Sequence, residues 1–214
     1  MKTNNLRVYV HGPGFWAYVR MFNDEPGYEA VRDYDQADAI CFTGGADVEP
    51  RRYGEIELST TFSDRHRDQA DLWMFNKANV DNKLLIGICR GGQFLNVMNG
   101  GKLWQDVDGH TVGHDLVDTK TGEVVFVTST HHQEMRPTDD AVILATARVA
   151  FKKRSATLKF TNVSEPDIEA VWYPKSRSVC FQPHPEFAEN PTRRYFFELL
   201  ARCRDDVNQS SKAA

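Results

Sequence analysis

The stretch 87-GICRGGQFLNVMNGG-101, preceded by the apolar run KLLIGI over 83–88, constrains this chain most tightly. A short apolar run of that length reads as a buried strand. GGQFLNVMN over 91–99 reads as a short helix closed by Gly100 and Gly101. Cys89 therefore falls on the turn where strand becomes helix. A residue on so tight a turn sits in strained backbone geometry, and its neighbours two positions either side crowd each other unless they are small. Gly87 and Gly91 meet that need. The turn also sets the thiol at a helix N-terminus, whose dipole favours the thiolate, and points the Arg90 amide toward a developing oxyanion. A structural cysteine would need none of this. The pentapeptide alone leaves an ordinary glycine turn open as the alternative.

The rest of the chain agrees with an α/β fold. LRVYVHG (6–12) is a β-rich run, followed by a helical stretch through the twenties and thirties and a second strand, DAICFTGG (38–45). Residues 64–80 carry apolar side chains at helical spacing, with Leu72, Phe75 and Val80 near one face. From residue 102 the pattern becomes strand-like: KLWQDV, EVVFVTST, AVILATARVAF, ATLKFTNV, IEAVWYP and SVCFQPHPE, separated by turn signals. A last helix is expected over 191–204, opened by Pro191, with a polar, frayed tail over 205–214. The expectation is one domain over 1–204: an open, mostly parallel twisted sheet flanked by helices, with additional antiparallel strands in the second half.

Composition removes several function classes. A formal charge of −4 and a pI near 6.0, without basic runs, give no reason to expect nucleic acid. No apolar run is long enough to span a bilayer and no leader precedes the first strand, so a cytoplasmic protein without membrane contact is expected. Cys41, Cys89, Cys180 and Cys203 show no paired spacing, which argues against a disulfide framework or a zinc ribbon. Cys41 and Cys180 lie in apolar runs and read as small buried hydrophobes.

A thiol nucleophile needs a base, and the base an orienting partner. His184 in 181-FQPHPEF-187 follows an apolar run, with Glu186 two residues on. In an extended segment, which Pro183 and Pro185 favour, both would project to the same side. Alone, H-P-E is equally a turn with a solvated glutamate.

Taken together, five ordered blocks resemble the class I (triad-type) glutamine amidotransferase-like superfamily, in particular its stand-alone γ-glutamyl hydrolase branch. They are 43-TGGADVEPRRYGE-55, 67-RDQADL-72, 86-IGICRGGQFLNVMNGGKLWQDV-107, 129-STHHQ-133, and 168-IEAV-171 with 181-FQPHPE-186. The resemblance implies a flavodoxin-like sheet, with Cys89 as nucleophile, His184 as general base and acid, and Glu186 as its orienting carboxylate. It implies oxyanion amides near Gly45 and at Arg90, with Gly44 and Gln93 at the glutamyl group. It sets His131, His132 and Gln133 on the acceptor side of the pocket. Two positions depart from the family: Gly92, where a larger residue is common, and Pro183, where an aromatic or apolar residue is common. Gly92 would either widen the pocket floor or loosen helix packing.

Other constellations read more plainly. His110, His114, His131 and His132 do not make a convincing metal set, because DGHTVGHDL is not expected to be helical and H-x3-H then loses its shared face. No metal or cofactor is expected. Arg65, Arg67, Asp68 and Asp71 read as a solvated, salt-linked helix face. Trp73, Phe75, Phe94 and Phe196 read as core. Asp47, Glu49, Arg51 and Arg52 read as an exposed charged loop. The expected activity is cysteine-dependent hydrolysis of a γ-glutamyl amide in a small-molecule substrate, through a thioester that releases glutamate. The alternatives are a non-catalytic binding protein and a glutaminase component feeding ammonia to a synthetase subunit. A homodimer stays open.

Overall fold

The computed structural model describes residues 5–156, 165–187 and 191–213. Thirteen strands are formed among the described residues: β1 Leu6–His11, β2 Tyr28–Val31, β3 Ala39–Phe42, β4 Leu84–Ile88, β5 Lys102–Trp104, β6 Asp106–Val107, β7 His114–Asp118, β8 Val124–Val127, β9 Glu134–Arg136, β10 Val142–Ala147, β11 Lys153–Arg154, β12 Ile168–Tyr173 and β13 Ser178–Phe181. Four α-helices accompany them: α1 Phe15–Asp24, α2 Arg65–Val80, α3 Arg90–Met98 and α4 Pro191–Ala213.

Nine strands form one sheet in the order β2-β1-β3-β4-β13-β12-β10-β7-β8. Its first half, from β2 to β13, is parallel throughout. From β13 outward through β12, β10, β7 and β8 every pairing is antiparallel. The two halves match the sequence expectation. β3, β4 and β13, at the centre, are buried at every position, which explains their unbroken apolar runs. One core packs α1 and α4 on one face of the sheet through Phe22, Phe196 and Leu199. A second packs α2 and α3 on the other through Met74, Phe94 and Leu95.

Several local expectations are corrected. The helix placed in the twenties and thirties begins at Phe15 and stops at Asp24, and Tyr28–Val31 pairs in parallel with β1. The final helix does not stop at 204 but continues through the polar stretch to Ala213. Val80 is exposed and Trp73 lies on the outside of α2, whereas its buried positions are Asp68, Asp71, Met74 and Ala78. The face of α2 turned inward is thus half acidic, which a search for apolar spacing passes over. ATLKFTNV falls mostly on residues outside those described.

Candidate active site

Cys89 occupies the turn between β4 and α3 with φ 52° and ψ −117°, a conformation that side-chain-bearing residues rarely adopt. Its amide donates to the Phe181 carbonyl of β13 at 2.7 Å, fixing the elbow to the neighbouring strand. The flanking glycines are a steric requirement. A Cβ on Gly87 would lie 2.4 Å from the Gly91 carbonyl oxygen, and one on Gly91 would lie 2.1 Å from that of Phe42. Gly92 is turned toward β13, where a Cβ would stand 2.9 Å from the Phe181 nitrogen. Its missing side chain serves close packing of helix on sheet and does not widen the pocket floor.

His184 and Glu186 follow β13 and come to the same place. His184 Nδ1 lies 2.6 Å from Glu186 Oε1, with both side chains buried. The segment is not extended as the sequence suggested: a turn begins at Pro185, and that turn folds the carboxylate back onto the ring. Burial alone would hold His184 neutral, but hydrogen bonds to Cys89 and Glu186, with their negative charge, raise it to about 10. Its Nε2 also meets Thr130 Oγ1 at 2.9 Å. The Phe187 ring stacks on the imidazole, centroids 4.4 Å apart and planes within 3°.

The loop after β3 approaches from the other side. A Cβ on Gly44 would be 3.3 Å from His184 Cε1 and 3.6 Å from Cys89 Cβ. The Gly44 amide donates to Tyr18 Oη at 3.0 Å and so is committed to the protein rather than to a ligand. Tyr18, from α1, also hydrogen-bonds Glu186, and burial first and that carboxylate second push its phenol well up. Gly45 has φ +145°, a conformation open to glycine, and leaves its loop facing the thiol. At the start of α3, Arg90 N–H is one of the four amides a helix cannot satisfy itself.

Beneath this surface lies a buried ion network. Asp68 and Asp71 are fully buried, contrary to the solvated face expected. The equally buried Arg90 guanidinium bonds to Asp68 and Asp71, and its Nε donates to the Ala46 carbonyl at 3.1 Å. Arg67 Nε donates to Asp71 at 2.9 Å and its Nη2 to the Thr43 carbonyl at 3.2 Å. Arg52 pairs with Asp68 at 3.1 Å, and Asp47 is buried and accepts from the Phe62 amide. The 43–55 loop is therefore knitted into α2 and not a free charged loop.

These pieces line a cavity of ≈370 Å³ walled by Gly45, Asp47, Cys89, Gln93, His132 and His184, with Phe62 at its rim. Gln93 is buried and its Nε2 donates to the Gln133 carbonyl at 3.0 Å. His132 faces the cavity with Nε2 3.1 Å from Asp47 Oδ1, and this contact raises it despite partial burial. His131 and Gln133 line the same wall, but each spends one side-chain nitrogen elsewhere. His131 Nδ1 donates to the Gln133 carbonyl and Gln133 Nε2 donates to Thr61 Oγ1. Tyr18, Thr130 and Phe187 were not singled out in the sequence. Tyr18 sits in an ordinary apolar run, and only adjacency to His131 and His184 could have pointed to Thr130 and Phe187. A thiol at the cavity wall, a charged imidazole, an orienting carboxylate and two amide-bearing turns can together perform acyl transfer.

Among known proteins, a putative glutamine amidotransferase-like protein of Lactococcus lactis is 45% identical over 83 residues, covering 37% of this chain and 34% of that protein. The chain thus matches only about a third of that relative's length. Protein NtpR of Enterococcus hirae is 30% identical over 182 residues, covering 78% of this chain and 75% of that protein. Among solved structures, a putative GMP synthase subunit from Thermoplasma acidophilum superposes with a TM-score of 0.59, covering 98% of each chain at 15% identity. PurLQS from Thermotoga maritima gives 0.57 over 97% of this chain and 99% of that one, at 17% identity. These likenesses establish the α/β fold. The profile of the peptidase C26 family matches residues 17–186, and on that span the chain belongs to the peptidase C26 family, within the glutamine amidotransferase-like superfamily.

Proposed function

We propose that this chain hydrolyses a γ-glutamyl amide through a γ-glutamyl thioester at Cys89. The observation that carries the reading is the placement of the His184 imidazole between the Glu186 carboxylate and the Cys89 thiol, at the wall of a cavity. The Cys89 sulfur adds to the side-chain carbonyl, and the oxyanion accepts from the amides of Gly45 and Arg90. His184 gives its proton to the leaving nitrogen as the C–N bond breaks, which leaves the thioester. The imidazole then takes a proton from water as the oxygen attacks, and the C–S bond breaks to release glutamate. Glu186 keeps Nδ1 protonated throughout, and Tyr18 in turn holds Glu186. Gln93 lies one turn along α3 from the thiol, placed to meet the glutamyl end of the substrate.

A second reading, delivery of ammonia to a synthetase partner, draws on a different observation. The carbamoyl phosphate synthase small chain of Methanopyrus kandleri is 27% identical over 123 residues, covering 56% of this chain and 31% of that protein. The test is glutamate release from glutamine, γ-glutamyl-aminobutyrate, γ-glutamyl peptides and polyglutamates, with Cys89→Ala as control. Turnover of a substituted amide by the chain alone, abolished in Cys89→Ala, supports the hydrolase. Turnover of glutamine only favours ammonia delivery, and activity surviving in Cys89→Ala refutes the mechanism.

A further inference from the structure

Behind the His131 wall, three histidines converge on one carboxylate. His110 Nδ1 lies 3.2 Å and His114 Nε2 2.9 Å from Glu169 Oε1, and His131 Nε2 lies 3.8 Å from Glu169 Oε2. His110, His131 and Glu169 are fully or almost fully buried, and His114 sits at the edge with 10% of its side chain exposed. The ring faces are set accordingly, with His110 4.5 Å from His114 and 4.7 Å from His131 between centroids.

The far nitrogen of each ring is already assigned. His110 Nε2 meets Asp167 Oδ2 at 2.7 Å, His114 Nδ1 meets the Val112 carbonyl at 3.3 Å, and His131 Nδ1 meets the Gln133 carbonyl at 2.9 Å. A carbonyl can only accept, so the far nitrogens of His114 and His131 carry their hydrogens. The Asp167 carboxylate, an acceptor at that contact, asks the same of His110. In a neutral ring the near nitrogen is then a bare lone pair, and all three lone pairs face a carboxylate that is itself an acceptor. Among the described residues, His110 Nδ1, His131 Nε2 and Glu169 Oε2 find no hydrogen-bond partner. Two remedies exist: extra protons on the rings, or a cation that accepts all the lone pairs at once.

We propose that this cluster is a structural zinc site formed by His110, His114 and Glu169, whose ligand atoms lie within 4.8 Å of one another, with His131 turning in from the second carboxylate oxygen as the fourth ligand. Imidazole and carboxylate are zinc's usual nitrogen and oxygen donors, and ligand histidines commonly hand their other N–H to a carboxylate or backbone carbonyl. Zinc bonds of about 2.0–2.1 Å in a tetrahedron set the ligand atoms about 3.3 Å apart. The separations of 3.2 and 2.9 Å about Glu169 Oε1 are close to that edge. The objection raised by the non-helical DGHTVGHDL stretch falls away, because Gly109 and the start of β7 bring the two rings together without a helix. The site stands behind the wall of the Cys89 cavity and away from the thiol. Its role is to pin the 108–114 turn, the His131 segment and β12 to one another, and it is independent of the hydrolase reading.

The test uses the full chain carrying Cys89→Ala, so that metal on the active-site thiol is not counted. The metal-stripped protein is titrated with Zn²⁺ while thermal unfolding is followed, and with Co²⁺ while visible absorption is recorded. The expected result is one equivalent bound, a rise in Tm with Zn²⁺, and the strong visible bands of four-coordinate Co²⁺. Glu169→Gln and His114→Ala are each expected to weaken binding by at least about tenfold, as loss of even an outer-shell partner does. His114→Ala, at the cluster's edge, carries the test should Glu169→Gln fail to fold. Binding below one equivalent, or undiminished in these variants, overturns the site and assigns the cluster to protonated histidines.

Discussion

Replacing Asp71 with Asn keeps the side chain's shape and removes its charge. In the native protein Asp71 is fully buried and meets the Arg90 guanidinium, Arg67 Nε at 2.9 Å and His11 Nε2 at 3.0 Å. The substitution leaves the Arg67 guanidinium without a carboxylate, and leaves Arg90 only that of Asp68, which Arg52 also uses. Removing one partner of a buried pair typically costs about 3–5 kcal/mol, because the stranded charge keeps its desolvation penalty. With an unfolding entropy near 2.1 cal/mol/K per residue, a 214-residue chain loses roughly 7–11 °C in Tm for such a change. Arg65→Ala, six positions earlier on the same helix, provides the contrast. Its pair with Glu49 is solvent-exposed on the arginine side, and such pairs contribute about 0–1 kcal/mol. The assay is thermal unfolding of both variants at neutral pH by circular dichroism. Equal, small shifts for the two would refute the reading of α2 as an inward-facing charged helix.

Two further outcomes follow from the site. His184 is raised to about 10 by Cys89 and Glu186 against the pull of burial, so its charge stabilises the fold fully below the ordinary histidine value of about 6.5. That contribution fades as pH climbs through about 10. The Tm of wild type should fall over this window relative to His184→Gln, and parallel profiles would remove the ion-pair assignment. Gly92→Ala should destabilise by about 1–3 kcal/mol, because its Cβ overlaps the β13 backbone. It should leave the KM for the best substrate of the panel unchanged, whereas an altered KM at native stability would return Gly92 to the pocket.

The parts of the site legible in the sequence are those whose chemistry demands a local pattern. The Gly-x-Cys-x-Gly elbow must be written contiguously, since the crowding at Gly87 and Gly91 involves α3's own first turn and the adjacent β3. His184 and Glu186 were legible for a similar reason, although the turn that joins them was read as extended chain. What escaped depends on partners distant in sequence. Asp68 and Asp71 look like any helix surface until Arg90, 22 and 19 positions away, arrives to neutralise them. Tyr18 gains its role only when α1 lays it between Gly44 and Glu186. His110, His114 and Glu169 lie on separate elements, and the sequence read the two histidines only against a helical template.

Arg90 serves two masters with one residue. Its amide opens α3 toward the cavity, while its guanidinium is sealed between α2 and the Ala46 carbonyl. A substitution there cannot retune one end without disturbing the other, so the thiol side of the cavity has little room to diversify. Variation in substrate choice among proteins built this way should therefore collect on the opposite bank, where Phe62 is largely exposed and Asp47 and His132 hold each other by a single contact. Efforts to redirect such a protein toward a new substrate would begin there.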